Sequence, residues 1–196
     1  MAQFQHPFQP DPSRPPELQD PVPFEVGLVH VITGGGKGKT TAAFGLGLRA
    51  IGHGLRVCAI QFMKGDTRYG EFYAVQHLSN FTLHRFGTGG LIDMNNPSDE
   101  DKDEAQRGLV AAREAVGGGR YDVVILDEVN VACAWKLIPM DDLVDLIRAK
   151  PPNLELVLTG RYADPRIAEL ADYFTQITQV KHPYQQGIVA RRGIDY

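Results

Sequence analysis

The stretch "VHVITGGGKGKTT", residues 29–41, constrains this chain more than any other. A β-branched apolar run passes directly into glycines, lysines and threonines. Such a run reads as a buried strand, and the polar residues after it open a helix. In that order the backbone N–H groups of the turn and of the helix N-terminus converge on one point, which suits a polyphosphate. Lys39 would reach the phosphates as a cation, and Thr40 would offer its hydroxyl to Mg²⁺. The general pattern is G-x-x-x-x-G-K-[ST]; here Thr33 holds the first glycine place and Gly34 follows, so the loop is a residue short. Glycines between a strand and a helix also make plain tight turns. Lys37 and Lys39 flanking Gly38 argue for the anion, because lysines do not crowd a tight turn without one.

The rest of the chain is compatible with one α/β domain. At 196 residues it suffices for one buried core. From residue 26 onward strand-like and helix-like segments alternate, which predicts a mostly parallel sheet flanked by helices. "RVCAIQFM", "FTLHRF", "YDVVILDE" and "LELVLTG" read as strands. "KTTAAFGLGLRAI", "GEFYAVQHLS", "SDEDKDEAQRGLVAAREAV", "MDDLVDLIRAK" and "DPRIAELADYF" read as helices. "FTQITQV" and "GIVARRGIDY", joined by "KHPYQQ", read as an antiparallel strand pair at one sheet edge near the C-terminus. Residues 1–25, with prolines at 7, 10, 12, 15, 16, 21 and 23, read as an extended arm on a domain spanning 26–196. Phe4, Phe8 and Phe24 give that arm some adhesive surface. The net charge of −4 argues against nucleic acid as a partner, and no apolar stretch is long enough to span a bilayer. Cys58 and Cys133 have no metal-ligand spacing, which fits a reducing cytoplasmic setting. His6, His30, His53, His77, His84 and His182 are scattered without metal spacing, and His182 is the one to test for a site role.

A second signal supports the first. "VVILDE" brings Asp127 and Glu128 to the carboxyl end of a buried strand, where ligands of open parallel sheets bind. A carboxylate there holds Mg²⁺ directly or through water, although an acidic pair also caps a following helix. With the glycine loop, the expected ligand is a nucleoside triphosphate with Mg²⁺ or Mn²⁺. "TGR" carries Arg161 to the same sheet edge, suited either to phosphate charge or to a surface ion pair. Arg49 and Lys64 carry the same two readings. These residues license nucleotide binding and leave hydrolysis, phosphoryl transfer, attack at the 5′ carbon and binding without turnover all open.

The successive stretches "TGGGKGKTTAAFGLGLRAIGHG", "IQFMKG", "VVILDE", "LTGR" and "VKHPYQQGIVARRGIDY" resemble, in order, the motifs of the P-loop ATP:corrinoid adenosyltransferases. The short loop is the form that family uses. The resemblance implies a RecA-like P-loop NTPase fold, a homodimer, and transfer of the 5′-deoxyadenosyl group of ATP to the Co(I) of a reduced corrinoid, with tripolyphosphate released. It also implies a flavoprotein or other reductant. ATP would lie with its γ-phosphate where β usually sits, exposing C5′. The loop residues Gly34, Gly35, Gly36, Lys37, Gly38, Lys39, Thr40 and Thr41 would hold it. Lys39, Glu128 and Arg161 are the expected catalytic groups; Thr40, Glu128 and Asp127 are the expected Mg²⁺ ligands. Arg49, Phe86, Ile92 and His182 complete the expected binding set. The family usually carries a Gly-Phe-Thr-Trp-Glu-like stretch whose aromatics pack on the corrin; here "GTGGLIDMNN" puts Gly90 and Ile92 in the aromatic places.

Overall fold

The computed structural model describes residues 25–65 and 69–196. The expected arm therefore lies outside the described residues, save Glu25. Six strands form one sheet: β1 (Val29–Thr33), β2 (Val57–Gln61), β3 (Phe81–Arg85), β4 (Val123–Asp127), β5 (Glu155–Thr159) and β6 (Tyr173–Gln176). Their spatial order is β3-β2-β4-β5-β1-β6, and every pairing is parallel.

The four inner strands β2, β4, β5 and β1 are largely apolar on both faces, as a sheet covered on both sides requires, whereas the edge strands β3 and β6 carry polar residues. With side chains alternating, Val29, Val31, Cys58, Ile60, Val124, Leu126, Leu156 and Leu158 face one layer. That layer comprises α3 (Asp99–Gly117), α4 (Val129–Ala134), α5 (Met140–Arg148) and α6 (Pro165–Leu170). Ile32, Val57, Ala59, Val123, Ile125 and Val157 face α1 (Lys39–Ile51) and the turn after α2 (Gly70–Ala74). The long helix α3 starts where its acids predict. The Ser98 hydroxyl accepts from the Asp101 N–H at 3.1 Å, and Asp101 Oδ2 accepts from the Ser98 N–H at 3.2 Å. Such a reciprocal cap contributes about 1 kcal/mol.

The antiparallel edge pair is not formed. β6 runs parallel to β1, and no strand follows it among the described residues. Two local effects divert the chain. Beyond Gln176, the Ile177 N–H donates to Thr33 O at 2.8 Å while Ile177 O accepts from the Gly36 N–H at 2.9 Å, so the extension of β6 braces the glycine loop. Further on, the Asp195 carboxylate accepts from the backbone N–H and from Nε of Arg191, and the N–H groups of Ile194 and Asp195 both donate to Arg191 O. Side-chain bonds of this kind compete with a strand ladder and close a turn instead.

Candidate functional site

The carboxyl ends of β1, β2, β4 and β5 deliver the polar residues of the site. Leaving β1, the chain enters the loop at Gly34 with φ +99, where a Cβ atom would sit 2.4 Å from Ile177 O. Gly38, at φ +116, turns the loop into α1. Only glycine takes both positions without strain. At the start of α1 the N–H groups of Lys39, Thr40 and Thr41 have no carbonyl a turn behind them within the helix, a geometry that suits an anion. Lys39 is buried and its ammonium donates back to Gly34 O at 2.9 Å and Gly36 O at 2.8 Å. Burial lowers its pKa, and Arg161 adds to this while Glu128 and Asp127 offset it.

Asp127 is the hub beneath the loop. It is fully buried and accepts four hydrogen bonds: Oδ1 from Thr40 (2.9 Å) and Thr159 (2.6 Å), Oδ2 from Lys64 (2.7 Å) and Gln61 (3.0 Å). Burial alone would raise its pKa, but the adjacent Lys64 ammonium and these donors hold it below the usual carboxylate range. Its neighbour Glu128 takes a left-handed backbone, φ 63, which swings its carboxylate out of the strand line into the cleft. Burial, and then the charge of Asp127, raise the Glu128 pKa.

A cavity of about 430 Å³ lies over the loop, lined by Gly36, Lys39, Thr40, Glu128, Arg161 and His182 among others. A second of about 430 Å³ adjoins it, lined by Phe62, Leu91, Ile92, Val131, Trp135 and Tyr162. Lys64, Tyr69, Glu128 and Arg161 line both. Gly35 and Lys37 also line the first, and the Lys37 ammonium is engaged by Ile194 O at 2.9 Å and by the Asp195 carboxylate. His182 Nδ1 accepts from the Tyr184 N–H at 3.2 Å, capping a turn at the cavity wall. Thr41 faces a third cavity of about 490 Å³ between α1, α2 and the C-terminal segment.

Two expected residues stand apart. Arg49 is exposed in the last turn of α1, roughly 15 Å along the helix axis from Lys39. Phe86 packs against the main core beside Gly108 instead of lining the second cavity. The sequence leaves Lys64 with two readings and does not point to Gln61, Thr159, Tyr69, Trp135 or Tyr162. Gln61 and Thr159 had a signal: each is a polar residue directly after an apolar run of its strand, in register with the other strand ends of the site. Among the described residues no group of three or more His, Cys, Asp or Glu is placed to hold a metal ion; Thr40, Asp127 and Glu128 are oxygen donors at the loop.

Residues 25–196 match the family described as ATP:corrinoid adenosyltransferase BtuR/CobO/CobP. The chain belongs to this family. The corrinoid adenosyltransferase of Escherichia coli K12 is 35% identical over 173 residues, covering 88% of this chain and 87% of that protein. Corrinoid adenosyltransferase CobA of Salmonella typhimurium is 34% identical, with the same shares covered. Among solved structures, the KaiC-like protein PH0186 of Pyrococcus horikoshii superimposes with a TM-score of 0.50 at 16% identity, covering 81% of this chain and 76% of that one. The adenosyltransferase chain thus has the RecA-like P-loop NTPase fold.

Proposed function

We propose that this adenosyltransferase transfers the 5′-deoxyadenosyl group of ATP to the Co(I) of a reduced corrinoid, in adenosylcobalamin biosynthesis or salvage. One observation carries the reading: a phosphate cradle and an apolar, aromatic-lined cavity of similar size share a charged rim at Lys64, Glu128 and Arg161. With the triphosphate in the first and the corrinoid in the second, C5′ lies at the rim. Co(I) supplies the electron pair of the new cobalt–carbon bond, the C5′–O bond breaks, and its electrons leave with tripolyphosphate. No protein nucleophile is needed. Both cysteines are buried, with their thiols pushed up to about 11 and about 12.

The protein aligns the reactants and stabilises the charge that grows on the leaving group. The N–H groups of residues 39–41, Lys39 and Arg161 are the donors for it. The oxygen donors Thr40, Asp127 and Glu128 suit Mg²⁺ or Mn²⁺, and the buried Gln61 Oε1, which has no partner, is an acceptor for an ion-bound water. When bound, the ion neutralises triphosphate charge. We assign Gly34 to Thr41 and His182 to ATP, and Ile92 to the corrinoid. The edge strand β6, with Tyr173 and Phe174 about half exposed, supports a homodimer. Free cysteines support a cytoplasmic setting, where a flavoprotein or other reductant would supply Co(I).

The test is a product analysis of protein, Mg·ATP and chemically reduced cobalamin under anaerobic conditions, by phosphorus NMR and visible spectrum. Tripolyphosphate with light-sensitive adenosylcobalamin is expected. Intact ATP, or diphosphate without a cobalt–carbon bond, overturns the reading.

A further inference from the structure

Lys64 enters the site from the turn after β2. Met63 takes a left-handed backbone there, φ 60, and the Lys64 N–H donates to Phe86 O at 3.1 Å, which anchors the stem. The ammonium lies 2.7 Å from Asp127 Oδ2, 3.2 Å from Thr40 Oγ1 and 3.8 Å from Glu71 Oε1, and the side chain is 11% exposed. The single proton of the Thr40 hydroxyl is committed to Asp127 Oδ1. What the hydroxyl has left is lone pairs, and they meet Lys64. A threonine after the loop lysine, bonded to a strand-end acid and offering its lone pair to a cation, is how nucleotide loops hold a divalent ion. In this chain an ammonium stands in that place.

We propose that Lys64 is a tethered cation that fills the metal position in the nucleotide-free protein and yields it when the ion and ATP arrive together. The inference rests on the reading of the loop as a Mg·ATP site. Three observations carry it. Asp127 is fully buried, so it needs a positive partner in every state, and Lys64 is that partner until an ion replaces it. Gln61 is held for the exchange: its Nε2 faces two carboxylates, Asp127 at 3.0 Å and Glu71 at 3.1 Å, which fixes the amide orientation and leaves Oε1 with no partner. A hydrated ion supplies the missing donor. Finally, Lys64 has somewhere to go. It already lines the cradle cavity and the second cavity, so a small swing carries the ammonium to triphosphate oxygens at the shared rim. Ion alone must compete with a positive charge, whereas ion with triphosphate gives that charge a new partner. Metal and nucleotide therefore bind with positive coupling through Lys64 as a positioning residue.

Mn²⁺ titration followed by electron paramagnetic resonance tests this on the full chain, with and without ATP, in the wild type, Lys64→Met and Lys64→Arg. The wild type and Lys64→Arg are expected to hold Mn²⁺ about tenfold or more tightly with ATP than without. Lys64→Met should gain about tenfold in affinity for Mn²⁺ alone, lose most of the coupling, and melt at a higher temperature when Mn²⁺ is added. A merely structural lysine would give no such gain. If folded Lys64→Met binds Mn²⁺ alone no better than the wild type, the proposal is overturned; if that variant does not fold, Lys64→Gln, which keeps a donor for Asp127, decides by the same criterion. A wild type that fails to take up Mn²⁺ even with ATP instead sinks the underlying Mg·ATP reading.

Discussion

The phosphate cradle and the cavity across Glu128 from it are built by opposite rules. The cradle comes from consecutive residues braced from below by strand ends in register, Gln61 opposite Asp127, with both oxygens of the hub acid doubly engaged. The second cavity gathers side chains from the turn after β2, the loop at 89–92, α4 with the residue that ends it, and the turn after β5. Its loop is tied to α3 only at the base, where the Gly87 N–H donates to Glu104 at 3.0 Å and Thr88 to Asp101 at 2.8 Å; beyond that Leu91 is fully exposed. Charge that grows on a leaving group needs donors fixed in advance. A large flat ligand gains through contact area, which tolerates a surface completed on binding.

Asp127→Ala puts the largest strain on this contrast. It removes the one acceptor shared by Thr40, Thr159, Gln61 and Lys64, leaving the Lys64 ammonium with Glu71 at 3.8 Å as its ion-pair partner, and is expected to cost about 3 kcal/mol of stability, read by urea unfolding. Leu91→Ala, on the other side, should stay within about 0.5 kcal/mol. A loss below about 1 kcal/mol for the first would show that the cradle is no more preorganised than the loop.

Next in size, Lys39→Ala should weaken ATP binding by about a hundredfold or more, because charge-assisted bonds to the triphosphate are lost. Calorimetric titration measures it. Since Lys39 meets only loop carbonyls in the absence of ligand, stability should change far less than affinity. Unchanged affinity would remove the phosphate from the cradle.

The same contrast governs what could be read from the residues. The glycine loop is sequence-local, so "GGGKGKTT" is enough to place a tight turn that opens a helix, and "VVILDE" is enough to place Asp127 and Glu128 at the end of a buried strand, because an unbroken apolar run of that length is a covered strand. The parallel sheet followed from alternation. The antiparallel edge pair did not form because Arg191 with Asp195 closes a turn that alternation alone does not reveal, and nothing in the sequence signals that α1 carries Arg49 in its last turn away from the glycine loop. The second cavity could not be foreseen, since Trp135 and Tyr162 meet Ile92 only through tertiary packing.

That cavity yields a sharper test. Ile92 stands where the family usually has an aromatic, yet Trp135, Tyr162 and Phe62 surround the same space. If they supply the aromatic surface, Trp135→Ala should raise the corrinoid KM about tenfold with little effect on the KM for ATP, the size of one buried aromatic contact. Ile92→Trp should raise turnover with base-on corrinoid if an aromatic is still lacking. A rise with Ile92→Trp and no change with Trp135→Ala would return the role to the loop.

The smallest effect probes the loop's tether. Asp101 caps α3 and holds Thr88; the Ser98 hydroxyl, then Thr88, keep its carboxyl below the usual range against the opposing effect of burial. A depressed carboxylate contributes stability above its unfolded pKa, about 3.9. That contribution is lost as pH falls through the lower native value. Asp101→Asn should therefore cost about 1 kcal/mol at pH 7 in thermal or urea unfolding. The gap should narrow at acid pH, where the wild-type carboxyl also becomes neutral. A penalty independent of pH would mean that amide geometry, and not the charge, holds this end of the loop. Because Asp101 lies at the base, ATP affinity should not move in this variant, whereas the corrinoid KM should rise slightly if the loop closes over that ligand.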